Sequence, residues 1–500
     1  MSNSQAIPTA VIQPVDAASD PGFQGNDRLL FGIVLGVLTF WLFAQTVFNV
    51  APDMEKTLGL PATTMNIAVA ITALFSGIFI VFTGGLADRI GRMRILRFGF
   101  VLSICGCLLV ALAPSGTFAA PALILGRALQ GLSAACIMPS SLALVKTYWH
   151  GAARQRAISL WSIGSWGGSG LCALFGGFVA GNFGWRSIFL VSIFVALAGL
   201  LLIRGTPESR ANTGRAVRID RFGIFTFMLA MIGLQVVVTQ GSRLGWDSVA
   251  TLLLGASALL FGAIFLWHEL RTQDPFIDFS LFRNSTYTGA TISNFMLNGV
   301  AGTLIVTMQT MQLGGKLSVQ QAGMLTIGFA VTIIGFIRVG EILLRRFGSR
   351  LPMLWGCMIT GLSVLLLAQT QFSLETYKIL VFVGFALQGI GLAFYATPST
   401  DAALSALPEN QAGAGAGIYK MASSLGGAFG VAISAAIFTA IRTDTGGPIF
   451  DGLLEFQGGK EIAVREAASI ALSFNLLMVV IAAISIMMTI PKARDRATRS

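Results

Sequence analysis

Long apolar runs, separated by short polar and often basic segments, dominate the chain. A helix that crosses a bilayer needs about 20 mostly apolar residues. Fourteen segments meet that need, at roughly 29–50, 63–86, 95–113, 121–145, 156–181, 186–203, 222–240, 249–267, 289–312, 321–344, 351–370, 378–400, 414–441 and 469–490. The pattern predicts an all-α membrane protein with 14 transmembrane helices. Residues 1–28 are polar and lack a basic start followed by an apolar run and a cleavage site, so they are expected to form a disordered tail rather than a signal peptide.

Composition sharpens this. The 500 residues are 54% hydrophobic and only 11% charged, against about 25% charged in a soluble domain. So few charges could not cover two or three water-soluble domains, which argues against a soluble enzyme, a disordered chain or a nucleic-acid binder. The net charge of +11 finds its explanation in where the charges sit. With the N-terminus in the cytoplasm, 22 of the 33 Lys and Arg fall in inside segments and 8 in outside segments, while Arg127, Arg338 and Lys420 fall within spans. That bias places both termini in the cytoplasm of a multi-pass protein of the cell membrane, with lipid rather than nucleic acid as the basic segments' neighbour. The five cysteines lie in apolar stretches without metal-ligand spacing and read as small buried hydrophobes.

A weak internal repeat runs through the chain. Leu86 to Arg92 resembles Leu343 to Ser349 at an offset of 257. Ala128-Leu129-Gln130-Gly131 equals Ala386-Leu387-Gln388-Gly389 at 258. Gly164 to Gly168 resembles Ser423 to Gly427 at 259. These matches pair span 2 with 10, 4 with 12 and 5 with 13. The expected organisation is a six-helix N-terminal bundle (29–203), linkers with two inserted helices (204–288), a six-helix C-terminal bundle (289–490) with a long outer loop (442–468), and a basic tail (491–500).

Between spans 2 and 3 stands Gly84-Gly85-Leu86-Ala87-Asp88-Arg89-Ile90-Gly91-Arg92, which resembles the cytoplasmic loop signature of the major facilitator superfamily. The glycines suit a tight turn. Asp88 can face a helix N-terminus or an arginine across the seam between halves, with Arg89 and Arg92 at the lipid face. Span 4 holds Leu125-Gly126-Arg127-Ala128-Leu129-Gln130-Gly131, which resembles the superfamily's second motif, whose arginine is associated with proton coupling. Span 5 carries Gly164, Gly168, Gly176 and Gly177, close to the antiporter motif, although that motif's Gly-Pro pair would fall at Cys172-Ala173. With 14 spans the chain resembles the drug:H+ antiporter branch. Stretches such as Phe40 to Gln45, Trp161 to Gly170, Asn298 to Val306, Tyr395 to Asp401 and Gly417 to Ser423 look like the NorB-type quinolone and multidrug exporters. The resemblance implies a major facilitator fold of two six-helix halves plus two inserted helices. One departure stands out: the span-1 aspartate of many such antiporters would fall at Ala44.

Ionisable groups in or at the ends of spans are the proton-coupling candidates. Asp53 or Glu55 pairs with Arg127 near the outer end in one arrangement; in the other, both acids sit in a wet outer loop. Arg338 and Glu341, three residues apart, form an intrahelical pair in the cavity or a contact between halves. Asp401 and Lys420 form a gate at the cytoplasmic end or a static pair that holds the helices together. Substrate-cavity candidates are Trp41, Gln45 and Asn49, one stripe at every fourth residue of span 1. Asn294, Asn298 and Gln309 come from the equivalent span 9, and Trp166 and Tyr395 are placed to stack on planar drugs.

Neither His150 nor His268 has a companion ligand in sequence, so no metal is assigned. No nucleotide-binding loop or Gly-x-Ser-x-Gly elbow is present. The expectation is a non-enzymatic exporter without cofactors, acting as a monomer and driven by the proton gradient. It would expel amphipathic drugs such as fluoroquinolones and cationic dyes. The alternatives are an exporter of one lipid, siderophore or metabolite on the same fold, or a transport-dead receptor or scaffold.

Overall fold

The computed structural model describes residues 23–211, 220–272, 275, 277, 279–443 and 462–492, and among them the regular structure is helical. Among the described residues, thirteen stretches are long and apolar enough to span a membrane. A fourteenth forms from Gly151–Cys172 and Phe175–Phe183, bent by 56°. In chain order the first eight α-helices are α1 Asp27–Leu38, α2 Val47–Leu58, α3 Ala62–Ile90, α4 Arg92–Ala111, α5 Ala119–Tyr148, α6 Gly151–Ser162, α7 Gly168–Phe183 and α8 Trp185–Leu202. The inserted pair is α9 Arg221–Leu244 and α10 Val249–Glu269. The rest are α11 Ser285–Gly299, α12 Gly302–Gln309, α13 Val319–Met324, α14 Ile327–Phe347, α15 Arg350–Leu367, α16 Leu374–Ala406, α17 Ala412–Thr443 and α18 Ile462–Thr489.

Local chemistry sets many helix ends. Side chains of Asn26, Asp220, Ser248, Asn284 and Ser373 accept the N–H groups left open at the starts of α1, α9, α10, α11 and α16. Among the described residues, three spans carry a π-helical turn. π-helical turns occupy Thr39–Ala44 between α1 and α2, Ile163–Gly167 between α6 and α7, and Thr310–Gly314 after α12. The N–H of Gln45 reaches back to Phe40 O and that of Gly315 to Thr310 O, the five-residue step of a π-turn. Spans 1 and 9, equivalent in the repeat, are both broken this way.

The repeat is visible in the packing. In one half α5 lies against α3 and α4; in the other α16 lies against α14 and α15. Matching glycines permit the matching approaches. A Cβ on Gly131 would stand 2.4 Å from Thr72 O, and one on Gly389 2.6 Å from Phe329 O. The halves meet where α17 packs on α3 and α5, and where α14 and α16 reach α6. Helices α9 and α10 pack on each other, and α9 also touches α3 and α17. Leu252, Leu253, Leu259, Leu260, Leu266 and Trp267 of α10 are exposed, as befits a lipid-facing helix at the periphery.

Two boundaries differ from expectation. Residues 23–26 are placed against the bundle, with Phe23 edge-on to the Tyr148 ring at 4.9 Å and Gly25 N donating to Tyr148 O. The remainder of the tail (1–22) lies outside the described residues. Helix α18 begins at Ile462, inside the expected outer loop, and carries Arg465 and Glu466 into buried positions; 444–461 and 493–500 lie outside the described residues.

Candidate functional site

Two sets of polar side chains concentrate at the seam between the halves, one at the end carrying the basic loops and one deeper within the spans. At the basic end, α3 delivers Asp88 to the start of α17. The buried Asp88 carboxylate accepts from Gly413 N (3.0 and 2.8 Å) and Ala414 N (3.0 Å), the open N–H groups of a helix N-terminus. Arg92 Nε donates to Asp88 Oδ1 at 2.8 Å, and Arg92 Nη2 crosses the seam to Glu409 O at 2.7 Å. Gly84 and Gly413 are indispensable to this approach. A Cβ on Gly84 would stand 2.4 Å from Gly413 O, and one on Gly413 would stand 2.5 Å from Gly84 O.

Several motif positions therefore work differently from the sequence reading. Gly84 lies inside α3 and makes room for the opposite half; the turn itself is at Gly91, with φ +135°. Arg92 is buried against Asp88, Thr147, Ser209 and Glu409 rather than at the lipid face, while Arg89 is half-buried. The linker after α8 joins this knot. Glu208 accepts the N–H groups of Met93 and Arg94 at the start of α4.

Further contacts draw the same end shut. Lys146 Nζ of α5 donates to the carbonyls of Leu404 and Leu407 at the end of α16. Asp401, buried on α16, lies 3.4 Å from Arg154 of α6, which also donates to Ser405 Oγ at 2.8 Å. Asp401 thus faces Arg154 and not Lys420, which corrects the expected gate pair. Glu341 is buried between Arg338 and Arg345 on its own helix, and Arg345 reaches Ala152 O in the other half. Arg338–Glu341 is an intrahelical pair, and the contact with the other half is made by Arg345 instead.

Arg127 is fully buried near the opposite end. It donates to Ala68 O (3.1 Å), Ala44 O (2.8 Å) and Gln130 Oε1 (2.7 Å), knitting spans 1, 2 and 4, and its Nη2 has no partner among the described residues. Neither Asp53 nor Glu55 reaches it. Asp53 is exposed and Glu55 half-buried on α2, a helix where the sequence suggested a loop.

Deeper in the seam aromatic side chains gather. Trp41 sits on the π-turn of span 1, and Trp166 on that of span 5; both are half-buried. Because the π-turn at Thr39–Ala44 contains Trp41, Gln45 does not lie one α-helical turn from it. Gln45 is half-buried, and the Asn49 side chain lies outside the described residues. Lys420 of α17 points across the seam, its Nζ 4.8 Å from the Trp161 ring centre and 5.9 Å from that of Trp41.

On the C-terminal side, the asparagines serve the helix bundle. Asn294 Nδ2 donates to Tyr419 O and Ser423 Oγ, and Asn298 donates back to Asn294. Tyr395 is fully buried in a hydroxyl chain with Ser293, Ser399 and Tyr419, which corrects its expected role as a stacking surface. Gln309 is half-buried at the π-turn of span 9.

His268 has companions after all. Its Nε2 lies 3.0 Å from Asp220 Oδ2, and one donor atom each from Asp220, His268 and Glu269 falls within 4.8 Å of the others. Burial disfavours charge on Asp220, but the Gly223 N–H and His268 outweigh it and hold its carboxyl below the usual range. The 48-residue separation hid this cluster. Sequence reasoning also missed Lys146, Arg154 and Glu409, whose partners sit in the other half.

The family model described as the Major Facilitator Superfamily matches residues 30–431 and 286–494. Two curated relatives from Staphylococcus aureus are named quinolone resistance protein NorB. The one from strain MRSA252 is 44% identical over 473 residues, covering 95% of this chain and 98% of its own. The one from strain COL is 44% identical over 481 residues, covering 96% and 99%. Among solved structures, the proton:xylose symporter XylE superposes with a TM-score of 0.63 at 15% identity, covering 93% of this chain and 96% of its own. The human organic anion transporter MFSD10 superposes with 0.57, also at 15%, covering 90% and 98%.

Proposed function

The chain belongs to the major facilitator superfamily of transporters, and from that premise we propose that it is a proton-coupled exporter of amphipathic drugs, fluoroquinolones and cationic dyes among them. The observation that carries this reading is the 44% identity to quinolone resistance proteins along nearly the whole of both chains. The basic end faces the cytoplasm, both termini lie on that side of the cell membrane, and the monomer is the working unit.

Transport follows from two states of one seam. In the state described above, Asp88, Lys146 and Arg154 tie the cytoplasmic ends of the halves together. Rocking the halves apart breaks those ties and opens the chamber to the cytoplasm, where drug enters between Trp41 and Trp166. Closing them again returns it to the outer side. The inserted pair α9–α10 rides at the edge.

Proton coupling falls to buried acids at the seam. Glu341 and Asp401 each face arginines in the closed state. A carboxylate that exchanges an arginine neighbour for an apolar wall takes up a proton, and one that regains its arginine releases it. Arg127 acts as a tie between spans 1, 2 and 4, because its partners are carbonyl oxygens that carry no exchangeable proton.

Everted membrane vesicles test the reading. Energised vesicles holding the protein take up norfloxacin and ethidium, and a protonophore abolishes the uptake. Uptake of neither drug, alongside uptake of a single lipid, siderophore or metabolite, overturns it in favour of a dedicated exporter.

A further inference from the structure

Lys420 is a cation without an anion. Its residue is 4% exposed, at mid-seam on α17. Its Nζ lies over the Trp161 ring and near the Trp41 ring, both from the opposite half. Among the described residues, no carboxylate lies within ion-pair distance of it and no oxygen accepts from it. The nearby acid expected from sequence, Asp401, faces Arg154. Indole faces stabilise an ammonium only in part, and its N–H donors are left without a protein acceptor among the described residues.

A second donor at the same place is also unanswered. Among the described residues, the buried Trp41 Nε1 has no acceptor, whereas Trp161 Nε1 donates to Ser141 Oγ at 2.9 Å and so fixes its ring. The seam therefore presents an ammonium group and an indole N–H, both lacking acceptors among the described residues, beside aromatic faces. What complements this set is an acceptor-rich anion attached to a flat apolar body. A permanent cation meets like charge there.

We propose that Lys420 and the Trp41 N–H form a carboxylate subsite that selects aromatic acids and zwitterions over permanently cationic cargo. This rests on the exporter reading and narrows it, placing the carboxylated fluoroquinolones ahead of the dyes. The subsite spans the seam, with Lys420 from one half and Trp41 from the other. An anion bound there contacts both halves at once.

The test compares norfloxacin with its methyl ester, which keeps the rings and the amine but removes the anionic carboxylate. Binding is measured by calorimetry on the purified full chain in lipid nanodiscs. The wild type is expected to bind the acid about tenfold more tightly than the ester, the scale of one charge-assisted hydrogen bond. Lys420→Met brings the ratio close to one, Lys420→Arg restores most of it, and Trp41→Phe lowers affinity for the acid while sparing the ester. The same acid-to-ester ratio in the wild type and Lys420→Met overturns the subsite, as does an equal loss of both ligands. Should Lys420→Met fail to fold, Lys420→Arg and Trp41→Phe carry the comparison, and ratios unchanged in Trp41→Phe overturn the proposal. Efflux measured in parallel separates the two readings. Selective binding without efflux defeats the exporter and leaves the subsite, while efflux without selectivity does the reverse.

Discussion

Replacing Asp88 with Asn isolates the latch between the halves. The carboxylate takes the backbone N–H groups of Gly413 and Ala414 and pairs with Arg92 at 2.7 Å. Asparagine keeps the shape and one acceptor oxygen, but turns an NH2 toward donors and removes the charge. Each hydrogen bond to a charged group contributes about 1.5–3 kcal/mol. Losing one or two of them, with Arg92 left to Thr147, Ser209 and Glu409 alone, weakens the closed seam by about 3–5 kcal/mol. On a two-state seam that shifts the populations by about two to three decades. Spin labels at the exposed positions Ala153 and Arg346, on opposite halves at the basic end, read the change in a background freed of the native cysteines. The wild type should give one short distance and Asp88→Asn a dominant longer one, with the helix content unchanged. A short distance retained by the variant refutes the reasoning, since the carboxylate would then contribute nothing to closure.

Three further expectations follow from the same geometry. Gly84→Ala places a methyl group 2.4 Å from Gly413 O; it should reduce drug efflux at least as much as Asp88→Asn while the thermal midpoint of the purified protein stays within a few degrees. Arg127→Ala removes three hydrogen bonds from a fully buried site and should lower the thermal midpoint clearly, with about 3–5 kcal/mol lost; an unchanged midpoint would deny Arg127 its structural role. Glu341→Gln and Asp401→Asn are expected to keep drug binding and lose proton-driven accumulation, and wild-type accumulation by both would remove them from the mechanism.

Much of the fold was legible because hydropathy in a membrane protein is a near-direct record of helix position. Spans 2, 4, 10 and 12 and the repeat relating them follow from apolar length and spaced glycine. The site was legible only in part. Periodicity assigns a residue to a face of its own helix, but not to a partner on another. Thus Arg338–Glu341, a local pair, could be read directly, whereas Asp401 found Arg154 and left Lys420 with two indoles. The π-turn at Thr39–Ala44 moved Gln45 off the four-residue stripe expected from Trp41, and nothing in that stretch of sequence distinguishes such a turn from α-helix. Tyr395 looked like a stacking surface because hydrophobic and aromatic residues line cavities and cores alike; only the hydroxyl network of Ser293, Ser399 and Tyr419 shows which it is. Signals existed for Lys146 and Arg154, basic residues in the connection between spans 4 and 5, but they read equally well as topology-setting charges.

The central claim is that drug and proton move through one seam in opposite directions, and purified protein in liposomes with an acidic lumen tests it most directly. Norfloxacin added outside should accumulate beyond the level in protein-free liposomes while the lumen loses protons in step with drug entry, and both should cease when the gradient is collapsed. Accumulation that persists without the gradient, or drug entry with no accompanying proton movement, would contradict the account.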